Sequence, residues 1–368
     1  MSPVRGTARA LLCAALPVLL AACQRDDAQP LVNVYSWPGY VAADTLANFE
    51  ARYGIKVNYS LLDTNQVLET RLLAGHSDYD VVVPGAAYVE RLAKAGALRR
   101  LDKSQLPNLR NLDPAIMAAV QREDPGNAYG VPYLWGTNGF AWNREMILAR
   151  MPDAPVDSWA MLFDPDVVAR FADCGVVFYD TPIAVVPHVL AWLGRDPNSE
   201  DLADLALAEQ ALRAVRPFLR YLSNVRQFAD LASGGVCLAF SDNGNAIQAR
   251  ARARQTGTPY TIVYSVPREG AQLWFDMMAV PADAPHPGNA LRFINYMLEP
   301  QVAASITRAT GFATANVPGR ALLPQALRDD LDVFPPPDVM AHLFPDPMKH
   351  DAYLRERLRM WTRFMTGY

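Results

Sequence analysis

The sequence has no run of basic residues, and its formal net charge is −4. A slightly acidic chain without a Lys/Arg patch lacks the electrostatic footprint of a nucleic-acid binder. Histidine is scarce and scattered, at His76, His188, His286, His342 and His350, and no metal-ligand spacing emerges from it. H-E-x-x-H, the G-x-S-x-G elbow and the phosphate-cradling P-loop are all missing. These absences argue against an enzyme, and no metal or cofactor is expected. His188 lies in an apolar segment and reads as a core histidine rather than a base. Asp242 and Asp276 resemble an acid/base pair only superficially, because cation binding accounts for both more simply. There are no internal repeats and no low-complexity segment.

What is present is a globular composition, 51% hydrophobic and 20% charged over 368 residues, a length that suits two domains or two lobes. The N-terminus is read apart from the fold. Arg5 and Arg9 precede an apolar run, Leu11 to Leu20, too short to cross a bilayer as an ordinary helix. Leu20-Ala21-Ala22-Cys23 then resembles a bacterial lipoprotein signal, cut before Cys23 and lipidated on it. An ordinary cleaved signal is the alternative. Residues 1–22 are thus expected to be removed, with 23–30 as a polar tether. Export leaves two of the 4 cysteines, Cys174 and Cys237, each at the start of a β-like run. In an oxidising compartment they are a disulfide candidate; two buried free thiols are the other reading.

From Leu31 the pattern alternates strand and helix. "LVNVYSW", "IKVNYSLLD" and the continuous apolar run "YDVVVPG" read as strands. "DTLANFEARYG", "TNQVLETRLLAG" and "AYVERLAKAGAL" read as helices with stop signals after them. The order argues for a parallel α/β lobe. "DPGNAYGVPYLWGTNGFAWN" has no helical period and reads as extended chain crossing between lobes, with "LWFDMMAVP" as the return crossing. "VDSWAMLFDPDVVARF", "DLADLALAEQALRAVRPFLRYL" and "GNALRFINYMLEPQVAASITRATG" are each expected to be helical. The C-terminal helical stretch is expected on the second lobe.

Ligand groups in open α/β sheets gather beyond the carboxyl ends of strands. The loops there hold "SWPGY", "PGAAY", "YDTPIA" and "FSDNGN", and the crossing strand adds "LWFDMM". They bring together Trp37, Tyr40, Trp274 and Phe312 with Asp242 and Asp276. Aromatic faces attract a cation by roughly 0.5–2 kcal/mol, and a buried ammonium needs an anionic partner as well. Aromatic walls with one or two carboxylates suit an organic amine. The plainer alternatives are core packing for Trp274 and a helix staple for Tyr40.

The stretches "VYSWPGYVAADTLANFEARYGIKV", "YDVVVPG", "LRRLDKSQLPNLRNLDP", "DPGNAYGVPYLWGTNGFAWN", "APVDSWAMLF", "EGAQLWFDMMAVP" and "MWTRFMTG" resemble the periplasmic polyamine-binding proteins, the putrescine and spermidine receptors of ABC importers, over essentially the whole mature chain. The resemblance implies an α/β, two-lobed periplasmic binding protein (type II-like) with crossing hinge strands and an interlobe cleft. The lobes would be 31–137 plus 277–320 and 138–276 plus 321–368. It also implies a monomeric receptor for a small-molecule amine, docking on an ABC permease and touching a membrane through its lipid anchor only.

Carried over residue by residue, the resemblance makes Trp37 and Tyr40 ligand-packing aromatics and Trp274 with Asp276 an aromatic-x-Asp pair that grips an ammonium. Phe312 stands at a family tyrosine, and Cys174 with Cys237 at a bridged pair. Five positions depart. Gly39, Ala184 and Asn245 stand where the family has acidic residues, and Gly85 where it has serine. Asp242 replaces a tryptophan, an acid at a new place. A usual diamine geometry is therefore not expected unless Asp242 substitutes. The alternatives are a non-polyamine ligand, sensing without transport, and loss of small-molecule binding.

Overall fold

The computed structural model describes residues 30–345 and 347–367. The signal segment and Cys23 lie outside the described residues. The described residues form eleven strands, β1 (Leu31–Ser36), β2 (Lys56–Leu61), β3 (Val81–Val82), β4 (Gly130–Asn143), β5 (Val176–Phe178), β6 (Leu219–Leu222), β7 (Leu238–Asp242), β8 (Ile262–Ser265), β9 (Ala271–Ala279), β10 (Ala313–Thr314) and β11 (Leu343–Phe344). The main path runs β2-β1-β3-β9-β4-β7-β5-β6. Its two flanks are parallel, β1 with β2 and β3, and β5 with β6 and β7. Its centre is antiparallel, β9 with β4 and β4 with β7.

That centre is the crossing expected from the sequence. All fourteen residues of β4 are buried, which accounts for its lack of polar alternation. Val131 and Leu134 belong to a first core with Val34, Phe49 and Phe293. Phe140 and Trp142 belong to a second core with Trp159, Phe178 and Trp361. β9 is divided in the same way, Met278 in the first core and Ala271 in the second. The molecule is thus a two-lobed α/β fold whose cores are joined by an antiparallel pair of strands. Leu323, Val333 and Phe334 pack in the first core, and the helix Asp351–Thr366 packs in the second through Tyr353, Met360, Trp361 and Phe364.

Proline accounts for the places where helices stop short of the sequence expectation. The segment from Asp201 is helical only over Leu202–Val215; Pro217 follows, and the chain becomes β6. Pro300 divides the late helical stretch into Pro287–Met297 and Pro300–Thr310. Pro165 divides the segment from Val156. A proline ring removes an amide donor and clashes with the preceding turn. In β4 the register against β9 shifts between Pro132 and Leu134, the kind of irregularity at which a strand tolerates proline.

Cys174 and Cys237 form the expected disulfide, with Cα atoms 5.5 Å apart and 63 residues of separation. They sit just ahead of β5 and β7, which pair in parallel at Val176 and Leu238. A loop of this length corresponds to about 4 kcal/mol of lost unfolded-state entropy. Reductant is therefore expected to lower the melting temperature of the exported form by several degrees, and a Cys174→Ser variant is expected to be indifferent to it. Equal melting temperatures with and without reductant would contradict a stabilising bridge.

Candidate functional site

β1 ends at Ser36, and the chain leaves the sheet through Pro38 and Gly39, with Gly39 at φ +72°. Only a residue without Cβ takes that conformation cheaply. The turn lets Tyr40 fold back beneath the strand end, where it is 8% exposed. Its hydroxyl donates to Asp276 Oδ2 at 2.6 Å. Tyr40 is held from behind by Tyr133, whose hydroxyl donates to the Tyr40 carbonyl and whose ring lies edge-on, 6.2 Å away. Tyr133 is the residue at the β4 register shift, so the irregularity at Pro132 aims a supporting side chain. Trp37 is half-buried and tilted 6.4 Å from Tyr40.

Asp276 sits on β9 opposite Leu134 and forms an isolated bridge with Gly85. The Gly85 amide is fixed by Asn65 Oδ1 at 3.0 Å, and a Cβ on Gly85 would stand 3.7 Å from Asp276 Oδ1. Asp276 is 7% exposed. Among the described residues Tyr40 alone donates to it, and Oδ1 receives no hydrogen bond. Burial pushes its carboxyl up to about 7; the Tyr40 hydrogen bond opposes the shift and the charge of Asp242 adds to it.

Aromatic rings complete this end. Phe312 is 5.1 Å from Tyr40 and 5.4 Å from Trp274 between ring centroids. Trp274 lies two residues from Asp276 on β9 and so shares its face. Two glycines make the packing possible. A Cβ on Gly244 would stand 2.1 Å from the Phe312 ring. One on Gly136 would stand 2.2 Å from Asn243 Oδ1 and 2.6 Å from the Trp274 ring.

Asp242, at the end of β7, is arranged differently. It caps the helix Asn243–Gln255: Oδ1 accepts from the Asn245 amide at 2.7 Å. Oδ2 accepts from the Tyr179 hydroxyl at 2.7 Å and from Asn245 Nδ2 at 2.8 Å. Burial raises its carboxyl, and the Asn245 amide and Tyr179 hydroxyl pull it back. Burial, then the Asp242 charge, holds the Tyr179 hydroxyl well above its ordinary range, so it remains a donor. Ala184 lies in the first turn of the helix Pro182–Trp192. Its carbonyl meets His188 Nδ1, while His188 Nε2 accepts from the Gln272 amide of β9 at 2.9 Å. Burial pushes the imidazole down to about 3. His188 is therefore a neutral link between helix and crossing strand, in keeping with the sequence reading.

The structure brings Trp37, Tyr40, Gly85, Trp274, Asp276 and Phe312 together and joins Asp242 to Asn245 in a separate network. Sequence reasoning passed over Tyr179, Asn65, Asn243, Gly136 and Gly244. Only the two glycines carried a signal, as bare residues inside "LWGTNG" and "SDNGN".

Residues 44–325 match the family of bacterial extracellular solute-binding proteins. The chain is 39% identical over 341 residues to the putrescine-binding periplasmic protein PotF of Escherichia coli, covering 92% of each chain. It is 37% identical over 360 residues to the putrescine-binding periplasmic protein SpuD of Pseudomonas aeruginosa, covering 98% of each. Among solved structures, a putative spermidine/putrescine ABC transporter protein from Listeria monocytogenes superposes with a TM-score of 0.83 at 28% identity, over 92% of this chain and 99% of that one.

The Asp276 shift has a sign that stability measurements reveal. With a folded-state value near 7 against about 4 in an unfolded chain, the folded protein keeps a proton that the unfolded one has lost. This contribution is full below about pH 4 and is lost as pH rises through 7. Asp276→Asn, which cannot ionise, is expected to raise the melting temperature of the ligand-free protein by a few degrees at pH 8 and much less at pH 5. The same difference at both pH values would show that Asp276 does not titrate in this range.

Proposed function

The chain belongs to the bacterial extracellular solute-binding proteins, and from that membership and the geometry around Asp276 we propose that it captures a polyamine or related cationic amine between its lobes and delivers it to an ABC importer. The family is one of extracytoplasmic binding proteins that serve transport, not of enzymes. The observation that carries the ligand reading is the buried Asp276 carboxylate with one oxygen lacking a protein donor, walled by Tyr40, Trp274 and Phe312. Such an oxygen suits an ammonium, whose charge replaces what burial removes. The rings suit the adjoining methylenes and the cation itself.

On this reading Trp37, Tyr40, Trp274 and Phe312 pack the alkyl chain, and Asp276 pairs with the ammonium while Tyr40 fixes the carboxylate's rotamer. Gly85 leaves room beside Oδ1. A ligand touching both lobes favours the closed arrangement because only that form contacts it from two sides, and the permease reads that form. The division at 31–137 plus 277–320 and 138–276 plus 321–368 is part of the proposal, with the first-core packing of Leu323, Val333 and Phe334 moving the last boundary beyond Phe334. So are the monomeric state, the periplasmic location and the anchor on Cys23.

The test is a thermal-shift screen of the mature protein against putrescine, cadaverine, spermidine, agmatine, monoamines and amino acids. At least one amine is expected to stabilise it. Asp276→Ala is expected to weaken that amine by about 2–5 kcal/mol, roughly 30- to several-thousand-fold. Wild-type affinity is expected to rise by up to tenfold for each pH unit as pH increases toward 7 and to level off above it, because Asp276 must release its proton. An unchanged affinity in Asp276→Ala would refute the amine reading.

A further inference from the structure

We propose that the preferred ligand is a mono-cation: one ammonium at Asp276 and, further along the cleft floor, an uncharged hydrogen-bonding group such as a hydroxyl instead of a second ammonium. The inference rests on the amine reading of Asp276 and deepens it by naming the ligand class.

The first ground is the state of the other acids. Asp242 shares the sheet face of Asp276, since it pairs with Asn138 of β4 while Asp276 pairs with Leu134, four residues away. Its two oxygens already accept three hydrogen bonds, from the Asn245 amide, Asn245 Nδ2 and the Tyr179 hydroxyl. It also sits at the positive end of the helix Asn243–Gln255, which offsets its charge. Of the roughly four acceptor sites of a carboxylate, one on Oδ1 is left over, so Asp242 has little capacity to pair fully with an incoming ammonium. Asp330 and Asp332 both pair with Arg250, and Asp180 accepts the Trp361 indole N–H at 2.8 Å.

The second ground is the positions that carry no acid. Gly39 is exposed, at φ +72°, and a Cβ there would point into open space. Ala184 offers a methyl group. Asn245 is a neutral amide whose Nδ2 is already engaged by Asp242 and by Tyr179.

The third ground is what the floor does offer. Asn243 is fully buried. Its Nδ2 donates to the Asp332 carbonyl at 3.0 Å, and its Oδ1 has no partner among the described residues. That oxygen lies with the Trp274 ring over Gly136. Gly136 is two residues along β4 from Leu134, the partner of Asp276, or roughly 7 Å along the strand. A four-carbon chain bridges such a span.

Magnitudes decide between the two ligand ends. Desolvating an ammonium costs several kcal/mol, which one neutral acceptor does not offset. Desolvating a hydroxyl costs far less than desolvating an ammonium, and a single hydrogen bond to an otherwise unmatched buried oxygen offsets much of it. The floor therefore favours the neutral end.

The experiment is calorimetric titration of the mature protein at pH 8 with putrescine, 4-amino-1-butanol and butylamine. The amino alcohol is expected to bind at least tenfold more tightly than either of the others. Asn243→Asp, isosteric and charged, is expected to move the putrescine-to-amino-alcohol ratio at least tenfold toward putrescine. Asp242→Asn, which keeps a helix-capping side chain, is expected to leave that ratio within threefold. Putrescine binding as tightly as the amino alcohol, or losing affinity selectively in Asp242→Asn, would overturn the mono-cation assignment while leaving the amine reading intact. If none of the three binds and the wider amine screen is also silent, the amine reading itself fails and the assignment with it.

Discussion

A tyrosine hydroxyl 2.6 Å from a buried carboxylate is the contact on which the candidate site depends. Tyr40 and Asp276 are 236 residues apart. One lies on the turn that closes the first strand, the other on the strand that returns between the cores. A buried acid is tolerable when it is protonated or when its charge is matched. Tyr40 matches only one oxygen. The core around it fixes the geometry: the bulged β4 holds Tyr133 against Tyr40, and Asn65 holds Gly85 beside the open oxygen.

The crossing pair β4–β9 is more than a linker. Each strand has one end in each core, and the pairing sets Leu134, Gly136 and Asn138 of β4 opposite Asp276, Trp274 and Asp242 along one face of the sheet. His188 fastens the same strand to the second core by accepting from the Gln272 amide. Its burial keeps it neutral throughout the pH range in which Asp276 titrates. The link from scaffold to site therefore does not change charge when the site does.

Much of the scaffold was legible from residue order. The strand–helix alternation, the two crossing stretches and the cysteine pair each rest on local pattern or on long gap-free resemblance. Helix lengths were less legible, because apolar periodicity runs through Pro217 and Pro300 while the backbone does not. At the site, Trp37, Tyr40, Trp274, Asp276 and Phe312 stood out as aromatics and an acid beyond strand ends or on the return crossing. The condition of Asp242 did not. Whether a carboxylate faces a ligand or caps its own helix depends on Tyr179, 63 residues away, and on the rotamer of Asn245. Asn243 gave no sign either, since an amide next to a turn glycine reads as turn chemistry.

Gly136 and Gly244 contribute to the cleft by having nothing to contribute. Phe312 and Asn243 occupy the space their side chains would fill. Alanine scanning identifies a determinant by what truncation takes away, and at these two positions alanine is an addition. A scan that skips glycines, or treats them as spacers, would map the rings and carboxylates faithfully and miss two positions where backbone packs directly against Phe312, Asn243 and Trp274. At these two contacts the fit is encoded in backbone, and the smallest residues are among the least replaceable.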